Sequence, residues 1–484
     1  MMALTRRNQV VVTRGFLGAL FLLLACQASA PEGGTQEETG GLVPATDTVR
    51  WTAHEAWPTQ TQYRQVGEAF RGTVHQLEVD DEGRSWLIRQ DFDSPEDLTG
   101  QWTLEVYAPD GQRVFTLARE EGVEPYRFVR HPSGELTLFE LQRLPETTDF
   151  RLRLRRLSPE GQVLAERGFE DPGRPEEWPL YLLDATRVTQ VLERPSREVR
   201  WGREHFVHLR ALALGEEVAF IVWSHGLKLY RLAPGLDLAW DLQLMPDHSW
   251  MDVLANQEQL TLDAEGNLLV GWGMFRSEAA AWQQRFGREL AWRGGEADIL
   301  VQRISPDGRF LSAQLHGNEQ TEQLVGMGVH QGELLIGAVS RVLKHDRPND
   351  TTEWDLVLMR ARLEAGTLLQ HRVIDVARED LAYDFQVDAQ GRVWFAGVSD
   401  FLQVDTNSLV EFGQGLLLRT DVQGERTESL LLKGPRHVTV RRLALHPDGT
   451  LRFAGTFDGP ITHTGDEDPS LGFSHVMLGV GTWP

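Results

Sequence analysis

Residues 386–397 read Q-V-D-A-Q-G-R-V-W-F-A-G, and this stretch holds the pattern that decides the fold. It predicts an apolar strand, a tight turn closed by Gly391, a second apolar strand, and a glycine, Gly397, where that strand ends. Further copies lie at residues 262–271 and 445–455, with looser ones at 79–87, 129–138 and 329–337. A repeated hairpin indicates an architecture rather than a reaction, because function depends on sites placed on a fold.

A second family of hairpins alternates with the first. Proline fixes φ near −65° at its first turn position, and glycine takes the left-handed position that completes the loop. The turns of the first family close on Gly83, Gly134, Gly215, Gly266, Gly332, Gly391 and Gly449. Those of the second family centre on Gly111, Gly161, Gly235, Gly308, Gly366 and Gly424.

Two hairpins make four strands, and four-stranded units repeating at roughly 40–50 residues or somewhat more are typical of propeller blades. We therefore predict an all-β chain that forms a β-propeller of four-stranded blades. The first-family turns give seven blades. The long interval between Gly134 and Gly215 leaves six and eight open.

The two ends of the chain predict a closed ring. The C-terminal residues H-V-M-L-G-V-G-T-W (475–483) read as the third strand of a last blade that lacks a fourth. We expect residues 48–53, T-V-R-W-T-A, to supply the missing strand and so cover an edge that would otherwise be bare. Elsewhere, residues 278–292 predict a short helix interrupted by Gly287.

Residues 294–337 contain G-G-E-A-D-I-L-V-Q-R-I-S-P-D-G-R-F-L, then Q-L-H-G, then L-V-G-M-G-V-H-Q-G-E-L-L-I-G. This text resembles the seven-bladed β-propeller repeats of the SBBP type that occur in exported bacterial proteins, including myxobacterial lipoproteins. The similarity extends over residues 255–484 and is weak over residues 49–250. The resemblance implies a fold and an exported address, and it implies no shared catalytic residues.

The N-terminus predicts export and lipid anchoring. Residues 1–25 carry three arginines and an apolar run too short to span a bilayer, as in a signal peptide. The run ends in L-L-A-C, which resembles a bacterial lipobox and implies a diacylglyceryl group on Cys26, the single cysteine of the chain. Gln27 then favours the outer membrane of a Gram-negative bacterium. An ordinary signal peptide cleaved near residues 28–30, with Cys26 lost, is the alternative.

Residues 26–48 are polar, rich in Gly, Pro and Glu, and without apolar periodicity, so they predict a flexible tether before a propeller domain at 49–484. The formal net charge of −23 disfavours binding to nucleic acid, because such a surface repels phosphate backbones.

Motifs for catalysis or metal binding are absent from the sequence, which contains no G-x-S-x-G, H-E-x-x-H or P-loop pattern. We expect no cofactor. Acidic loops at residues 91–97, 346–355 and 466–468 offer oxygen ligands suited to Ca²⁺, but none has the spacing of a known calcium loop.

Loops after the second strand of each blade should gather on one face, where a rigid scaffold usually binds. The candidate binding residues there are Arg276, Arg341, Asp400 and Asp458. We expect a non-enzymatic binding or scaffold protein for an envelope protein or glycan. The alternatives are a purely structural role and a hydrolase or lyase for envelope polysaccharide or peptide, which should bring two carboxylates, or a histidine and a carboxylate, together at one end of the channel.

Overall fold

A computed structural model describes most of the chain from Leu42 to Trp483, within one compact unit, Thr39–Pro484. The described residues are 42–45, 50–53, 58–66, 71–92, 100–143, 150–168, 209–223, 227–245, 258–295, 297–344, 351–403, 411–434, 437–457 and 475–483. Cys26 and Asp458 lie outside them, as do the predicted signal peptide and most of the tether.

Three short strands precede the first blade: Leu42–Pro44 (β1), Thr52–Ala53 (β2) and Thr61–Val66 (β3). Blade 1 contains Arg71–Val79 (β4), Ser85–Phe92 (β5), Gln101–Tyr107 (β6) and Arg113–Leu117 (β7). Blade 2 contains Val123–Arg130 (β8), Leu136–Arg143 (β9), Phe150–Leu157 (β10) and Val163–Gly168 (β11). Blade 3 contains Arg210–Leu214 (β12), Glu217–Trp223 (β13), Leu227–Leu232 (β14) and Leu238–Gln243 (β15).

Blade 4 contains Gln259–Leu262 (β16), Leu268–Phe275 (β17), Ala297–Ile304 (β18) and Phe310–His316 (β19). Blade 5 contains Glu322–His330 (β20), Glu333–Lys344 (β21), Thr351–Arg362 (β22) and Leu368–Ile374 (β23). Blade 6 contains Leu381–Val387 (β24), Val393–Gln403 (β25), Glu411–Thr420 (β26) and Glu428–Leu432 (β27). Blade 7 contains Val438–Leu445 (β28), Thr450–Phe457 (β29) and His475–Thr482 (β30).

These strands form seven antiparallel sheets, which confirms an all-β propeller with seven four-stranded blades. The first strand of each blade contacts the first strand of the next, and β28 contacts β4, so the seven inner strands surround a channel. All seven first-family glycines have positive φ, as the turn chemistry predicts. The second family has one exception, because Leu236 and not Gly235 takes the left-handed position, with φ 68°.

The ring closes through the N-terminal segment, but through a different strand from the one predicted. The strand β3 pairs with β30 along its whole length, from Thr61 opposite Gly481 to Val66 opposite Val476. Residues 52–53 form the outermost strand of the same sheet. Trp51 explains the difference, because its indole lies against Gly111 and donates from Nε1 to the carbonyl of Pro109 in blade 1.

The N-terminal segment also reaches the other side of the seam. The strand β1 pairs with β7 at the outer edge of blade 1, so residues 42–44 of the predicted tether belong to a sheet. We call residues 42–66 the N-terminal strap, since its described parts join the outer edge of blade 1 to blade 7.

The predicted helix occurs at Ala279–Phe286 (α1), between β17 and β18, and ends at Gly287 in the left-handed conformation. Its Trp282 is fully buried and packs against Phe286 and Phe310. Among the residues that the structure describes, no helix has the length and apolar character needed to cross a membrane.

Apolar side chains fill the spaces between successive blades. Phe139 of blade 2 meets Phe220 of blade 3 edge to face, with ring centroids 5.2 Å apart. Phe385 of blade 6 lies where a Cβ on Gly337 of blade 5 would come within 2.1 Å of its ring. Burial of this kind is worth roughly 25 cal/mol per Å², so the large core needs no disulfide.

Candidate functional site

Five of the seven inner strands carry a β-bulge near their middle, shown by a register shift against the second strand of the blade. A bulge inserts one extra residue, bends the strand, and changes which side chains face the neighbouring sheet. The inserted residues are His75, Tyr126, Val325, Tyr383 and Arg441.

In blades 6 and 7 the glycine of the sequence repeat makes room for this bulge. Gly397 and Gly455 stand inside β25 and β29, not at their ends as predicted, and each lies opposite the residue before a bulge. A Cβ at Gly397 would lie 1.9 Å from the carbonyl oxygen of Leu381, and one at Gly455 would lie 1.8 Å from that of Thr439. Any other residue would therefore push the inner strand out of place.

Side chains from neighbouring blades bond to the carbonyl groups of the bulges. Arg442 donates from Nε to the carbonyl oxygen of His75 at 2.8 Å and from Nη1 to that of Tyr383 at 2.9 Å. Arg127 donates from Nη1 to the same carbonyl of His75. In blade 4, Gln259 donates to the carbonyl of Val325 at 2.7 Å. These bonds hold adjacent inner strands together around the channel.

Four arginines and one aspartate share this region, and we call Arg127, Arg210, Arg441, Arg442 and Asp384 the channel arginine cluster. The charge of Arg210 in blade 3 acts on Arg442 in blade 7, and these two blades are not neighbours. The interaction therefore runs across the channel. Arg441 lies over the ring of Tyr383, with its guanidinium carbon 4.3 Å from the ring centroid.

Positive charges in the cluster oppose one another. Burial, followed by the charges of Arg210 and Arg442, holds the pKa of Arg127 well below its usual range. Burial also lowers the pKa of Arg442 to about 10, against the opposing effect of Asp384. Burial raises the pKa of Asp384, although Arg442 and the backbone N–H groups of Leu443 and Phe385 favour its charged form. The guanidinium groups of the cluster thus lie close enough to act on one another, with Arg127 buried and the other members half-buried.

His75 lies beside the cluster and is held by its own partners. Its ring is 4.0 Å from the ring of Trp102, centroid to centroid, and its Nε2 is 3.2 Å from Oε1 of Gln90. Burial, followed by the charges of Arg127 and Arg442, lowers the pKa of the imidazole well below its usual value. At neutral pH this histidine is therefore uncharged and adds no positive charge.

One end of the ring carries the predicted binding loops, and we call it the loop face; Arg127, Arg442 and Asp384 lie near the middle of their strands. Inner strands begin at that end and second strands finish there, because the two run antiparallel. Arg276 follows the end of β17, while Arg341 and Asp400 lie near the ends of β21 and β25, and all three are exposed on successive blades. Their role in binding stays a prediction, and Asp458 lies outside the described residues.

A group of three carboxylates also lies at this end. The carboxylates of Asp355, Asp375 and Asp380 have oxygen atoms within 4.8 Å of one another, and Asp355 ends one of the predicted acidic loops. Asp380 accepts from Oγ of Ser399 at 2.6 Å and from backbone N–H groups of the preceding turn. Burial raises the pKa of Asp380, and Asp375 adds to this. The hydrogen bonds of Asp380 give it a part in folding that turn.

The channel arginine cluster was not identified from the sequence. The available signal was arginine inside otherwise apolar inner strands, as in V-T-V-R-R-L-A-L at 438–445 and Y-R-F-V-R at 126–130. Strict alternation assigns side chains to faces without knowledge of a bulge, so it does not show which arginines share the channel.

No protein-family model and no curated protein matches the chain. In fold it is similar to the β-propeller domain of the trilobed protease from Pyrococcus furiosus, a domain with an open velcro topology (9% identity, TM-score 0.43, 85% of this chain and 94% of that chain). It is also similar to a catalytically inactive variant of virginiamycin B lyase from Staphylococcus aureus with quinupristin (11%, 0.47, 88% and 99%). A third is a PL25 ulvan lyase (13%, 0.40, 68% and 76%). These likenesses concern the fold alone.

Proposed function

We propose that this protein is an exported, lipid-anchored propeller of the SBBP type that binds an envelope protein or glycan without catalysing a reaction. The ligand enters at the loop face and contacts the channel arginine cluster. The observation that carries the proposal is the gathering of four arginines around one aspartate in a chain whose formal charge is −23.

Charge placement supports binding over a purely structural role. Two of the arginines bond to bulge carbonyls, which accounts for Arg127 and Arg442. Those bonds satisfy carbonyl groups but supply no negative charge, and Asp384 is a nearby anion that raises the pKa of both arginines. The charges of Arg441 and Arg210 lower the pKa of Arg442, so an anionic ligand near it would favour its charged form.

The proposal includes a cellular location, the outer membrane, which depends on lipid attachment at Cys26. The sequence L-L-A-C at 23–26 and the resemblance of residues 294–337 to repeats of exported proteins support it. A diacylglyceryl group gives membrane affinity through burial of acyl carbons, each worth about 0.8 kcal/mol. The Cys26→Ser variant should lose palmitate labelling and leave the outer-membrane fraction. Labelling that persists in this variant would exclude Cys26 as the anchor.

Binding is tested with Arg441→Gln, which leaves the carbonyl bonds of Arg127 and Arg442 in place. Wild type and variant are immobilised and exposed to solubilised envelope extract, with Arg309→Gln as the matched control. Arg309 is 74% exposed and pairs with Asp307 in a turn at the opposite end of blade 4. We expect wild type and the control to retain the same envelope component and Arg441→Gln to lose it. If wild type, Arg309→Gln and Arg441→Gln retain the component equally, the channel arginine cluster does not bind it.

A hydrolase or lyase is the second candidate, and the carboxylates of Asp355, Asp375 and Asp380 are the observation that favours it. A raised pKa, as at Asp380, suits a general acid. Turnover of an envelope polysaccharide or peptide that is abolished in Asp375→Asn, with an unchanged melting temperature, would establish this alternative. Asp375 is chosen because it is exposed, whereas Asp380 takes part in folding.

A further inference from the structure

We propose that residues 317–321, which connect blades 4 and 5 at the loop face, open and close with pH. They stay packed while the carboxyl groups of Asp298 and Glu322 hold one proton between them, and they open when both groups are charged. Asp298 is the second residue of β18 and Glu322 is the first residue of β20. We call these two residues the seam acid pair. The ligand of the proposed function plays no part in this change.

The two carboxyl groups of the seam acid pair lie close together and are cut off from solvent. Both residues are 0% exposed. A Cβ built on Gly317 would lie 2.5 Å from Oδ1 of Asp298 and 2.9 Å from Oε2 of Glu322. These two oxygens are therefore at most 5.4 Å apart, the sum of the two distances. Two negative charges at this separation in a buried site oppose each other, which favours a proton on one of them.

Few hydrogen-bond donors stabilise charge on this pair. Oδ2 of Asp298 accepts from the backbone N–H of Arg293 at 2.9 Å, and Oε2 of Glu322 is reached by the N–H of Asn318 at 3.5 Å. The other two oxygens, Oδ1 of Asp298 and Oε1 of Glu322, have no hydrogen-bond partner among the residues that the structure describes. A buried oxygen without a donor costs free energy, and the cost is greater for a charged group.

His371 does not supply the missing donor, although its Nε2 is 3.4 Å from Oε1 of Glu322. The backbone N–H of Gln320 donates to Oδ1 of Asn318 at 2.6 Å, and this bond orients the amide. Nδ2 of Asn318 then faces Nε2 of His371 at 3.2 Å and donates to it. Because Nε2 is an acceptor in this arrangement, it has no proton to offer Glu322.

The other ionisable groups around the pair do not neutralise it. Burial, followed by the charge of Arg293, lowers the pKa of His316 to about 4, so this imidazole at the end of β19 is uncharged at neutral pH. Asp355 lies in the same cross-strand row as Glu322 and is a further acid. The guanidinium group of Arg293 does favour a charged Asp298, but Arg293 is exposed and solvent screens its charge.

The next seam, between blades 5 and 6, shows which donors the pair lacks. Asp380 precedes β24 and accepts from the hydroxyl of Ser399 at 2.6 Å and from two backbone N–H groups. In blade 5, Ser340 stands directly opposite Glu322, but its hydroxyl donates to Oε1 of Gln320 at 3.1 Å. The serine that could bond to the acid is thus bonded to the connection instead.

The direction of the pH effect follows from Asp298. Burial, together with the negative charge of Glu322, raises the pKa of Asp298 from 3.8 to about 6, against the N–H of Arg293. The folded chain therefore binds a proton here more tightly than the unfolded chain does. The stability that this proton supplies is complete below about pH 4 and is lost as the pH rises through about 6. Residues 317–321 should thus be packed in acid and open more often above about pH 7.

The first measurement is amide hydrogen exchange of the purified full chain at about pH 5 and about pH 8, corrected for the intrinsic pH dependence of exchange. Residues 317–322 should open roughly tenfold more often at the higher pH. Residues 118–122, which connect blades 1 and 2, are the internal control, because their Glu120 is paired with Arg153. Their opening should be the same at both pH values.

The second measurement compares melting temperatures of Asp298→Asn and Glu322→Gln with wild type. Each variant removes one charge of the pair and keeps the shape of the side chain. At about pH 8 we expect each to melt about 3 °C above wild type, and at about pH 4 within about 1 °C of it. Opening of residues 317–322 in these variants should no longer depend on pH. Glu166→Gln, whose side chain is 50% exposed, should match wild type throughout.

Three results would overturn the proposal. The first is equal opening of residues 317–322 at both pH values in wild type, a measurement that requires no variant to fold. The second is a melting temperature of both variants at or below that of wild type at about pH 8. The third is a stabilisation of the same size at both pH values, which would show that the substitutions act through packing and not through charge.

Discussion

Glu105 allows a quantitative test of what holds blade 1 together. Its side chain is 1% exposed and accepts hydrogen bonds from Nε of Arg89 at 2.9 Å, Nη1 of Arg113 at 2.6 Å and the hydroxyl of Tyr107 at 2.6 Å. Burial raises its pKa, but Arg89, Tyr107 and Arg113 outweigh burial and lower it from 4.5 to about 2. The carboxylate is therefore more stable inside the folded protein than in the unfolded chain.

This pKa shift determines how much Glu105 contributes to the free energy of unfolding, and over which pH range. One pKa unit corresponds to 1.36 kcal/mol, so the charged form of Glu105 contributes about 3 kcal/mol to the free energy of unfolding at neutral pH. A lowered folded pKa gives stability that is complete above the unfolded value and is lost as the pH falls through the folded value. The contribution is thus constant above about pH 5, falls to about 1.4 kcal/mol at pH 3, and vanishes below pH 2.

The variant Glu105→Gln removes the charge and keeps the shape. Guanidinium chloride unfolding should show a loss of about 3 kcal/mol at pH 7, equal to a midpoint shift of about 0.5 M for a slope near 6 kcal/mol/M. The control is Glu166→Gln, whose side chain is 50% exposed and 3.8 Å from Arg153, and which should cost less than about 0.5 kcal/mol. A loss below about 1 kcal/mol at pH 7, or one that does not shrink between pH 5 and pH 3, would refute this reasoning.

Three further predictions concern the closure, the bulges and metal. A chain starting at residue 50 lacks only β1 and should melt close to wild type. A chain starting at residue 68 should lose cooperative unfolding and aggregate, because the edge of β30 is then unpaired. Equal behaviour of the two chains in calorimetry and gel filtration would contradict the pairing of β3 with β30. Gly397→Ala should lower the free energy of unfolding by more than about 2 kcal/mol, because its Cβ would lie 1.9 Å from a backbone oxygen. Gly266→Ala has open space around the Cβ but a φ of 79°, and should lower it by about 1 kcal/mol. Equal losses in urea titrations would contradict the role given to the bulge. Excess EDTA and 1 mM Ca²⁺ should both leave the melting temperature unchanged, because hydrogen bonds hold the turn at Asp380 without a metal ion. A rise of several degrees with Ca²⁺ would show that the carboxylates bind a metal.

Local turn chemistry made most of the architecture predictable. Each first-family glycine marks a hairpin of its own blade, so counting turns gave the number of blades directly. The exception at Gly235 has a local cause. In A-P-G-L the glycine stands one position earlier than in A-P-D-G, so Leu236 receives the left-handed conformation.

Long-range pairing was predictable only in outline. The unpaired third strand at residues 475–482 indicated closure by the N-terminus, but two nearby segments, 48–53 and 61–66, both suit a strand. Which of the two segments pairs with β30 depends on Trp51, whose indole packs against the turn at Gly111. That contact joins distant parts of the chain and leaves no local pattern. The channel arginine cluster was not predictable for a related reason: it combines arginines from three blades, and in two of these the direction of the side chains depends on a bulge.

The N-terminal strap has a mechanical consequence if the chain is held by its N-terminus. Force applied there loads β1 first, which is held by three residue pairs with blade 1, a backbone bond from Ala45 to Val114 and the packing of Leu42. The load next reaches β2 and β3, whose pairing with β30 closes the ring. Tension would therefore open the propeller at its seam, between blade 7 and blade 1, before it pulled apart a blade built from consecutive strands. The force that detaches the N-terminal strap would therefore be the largest force that the closed ring can bear.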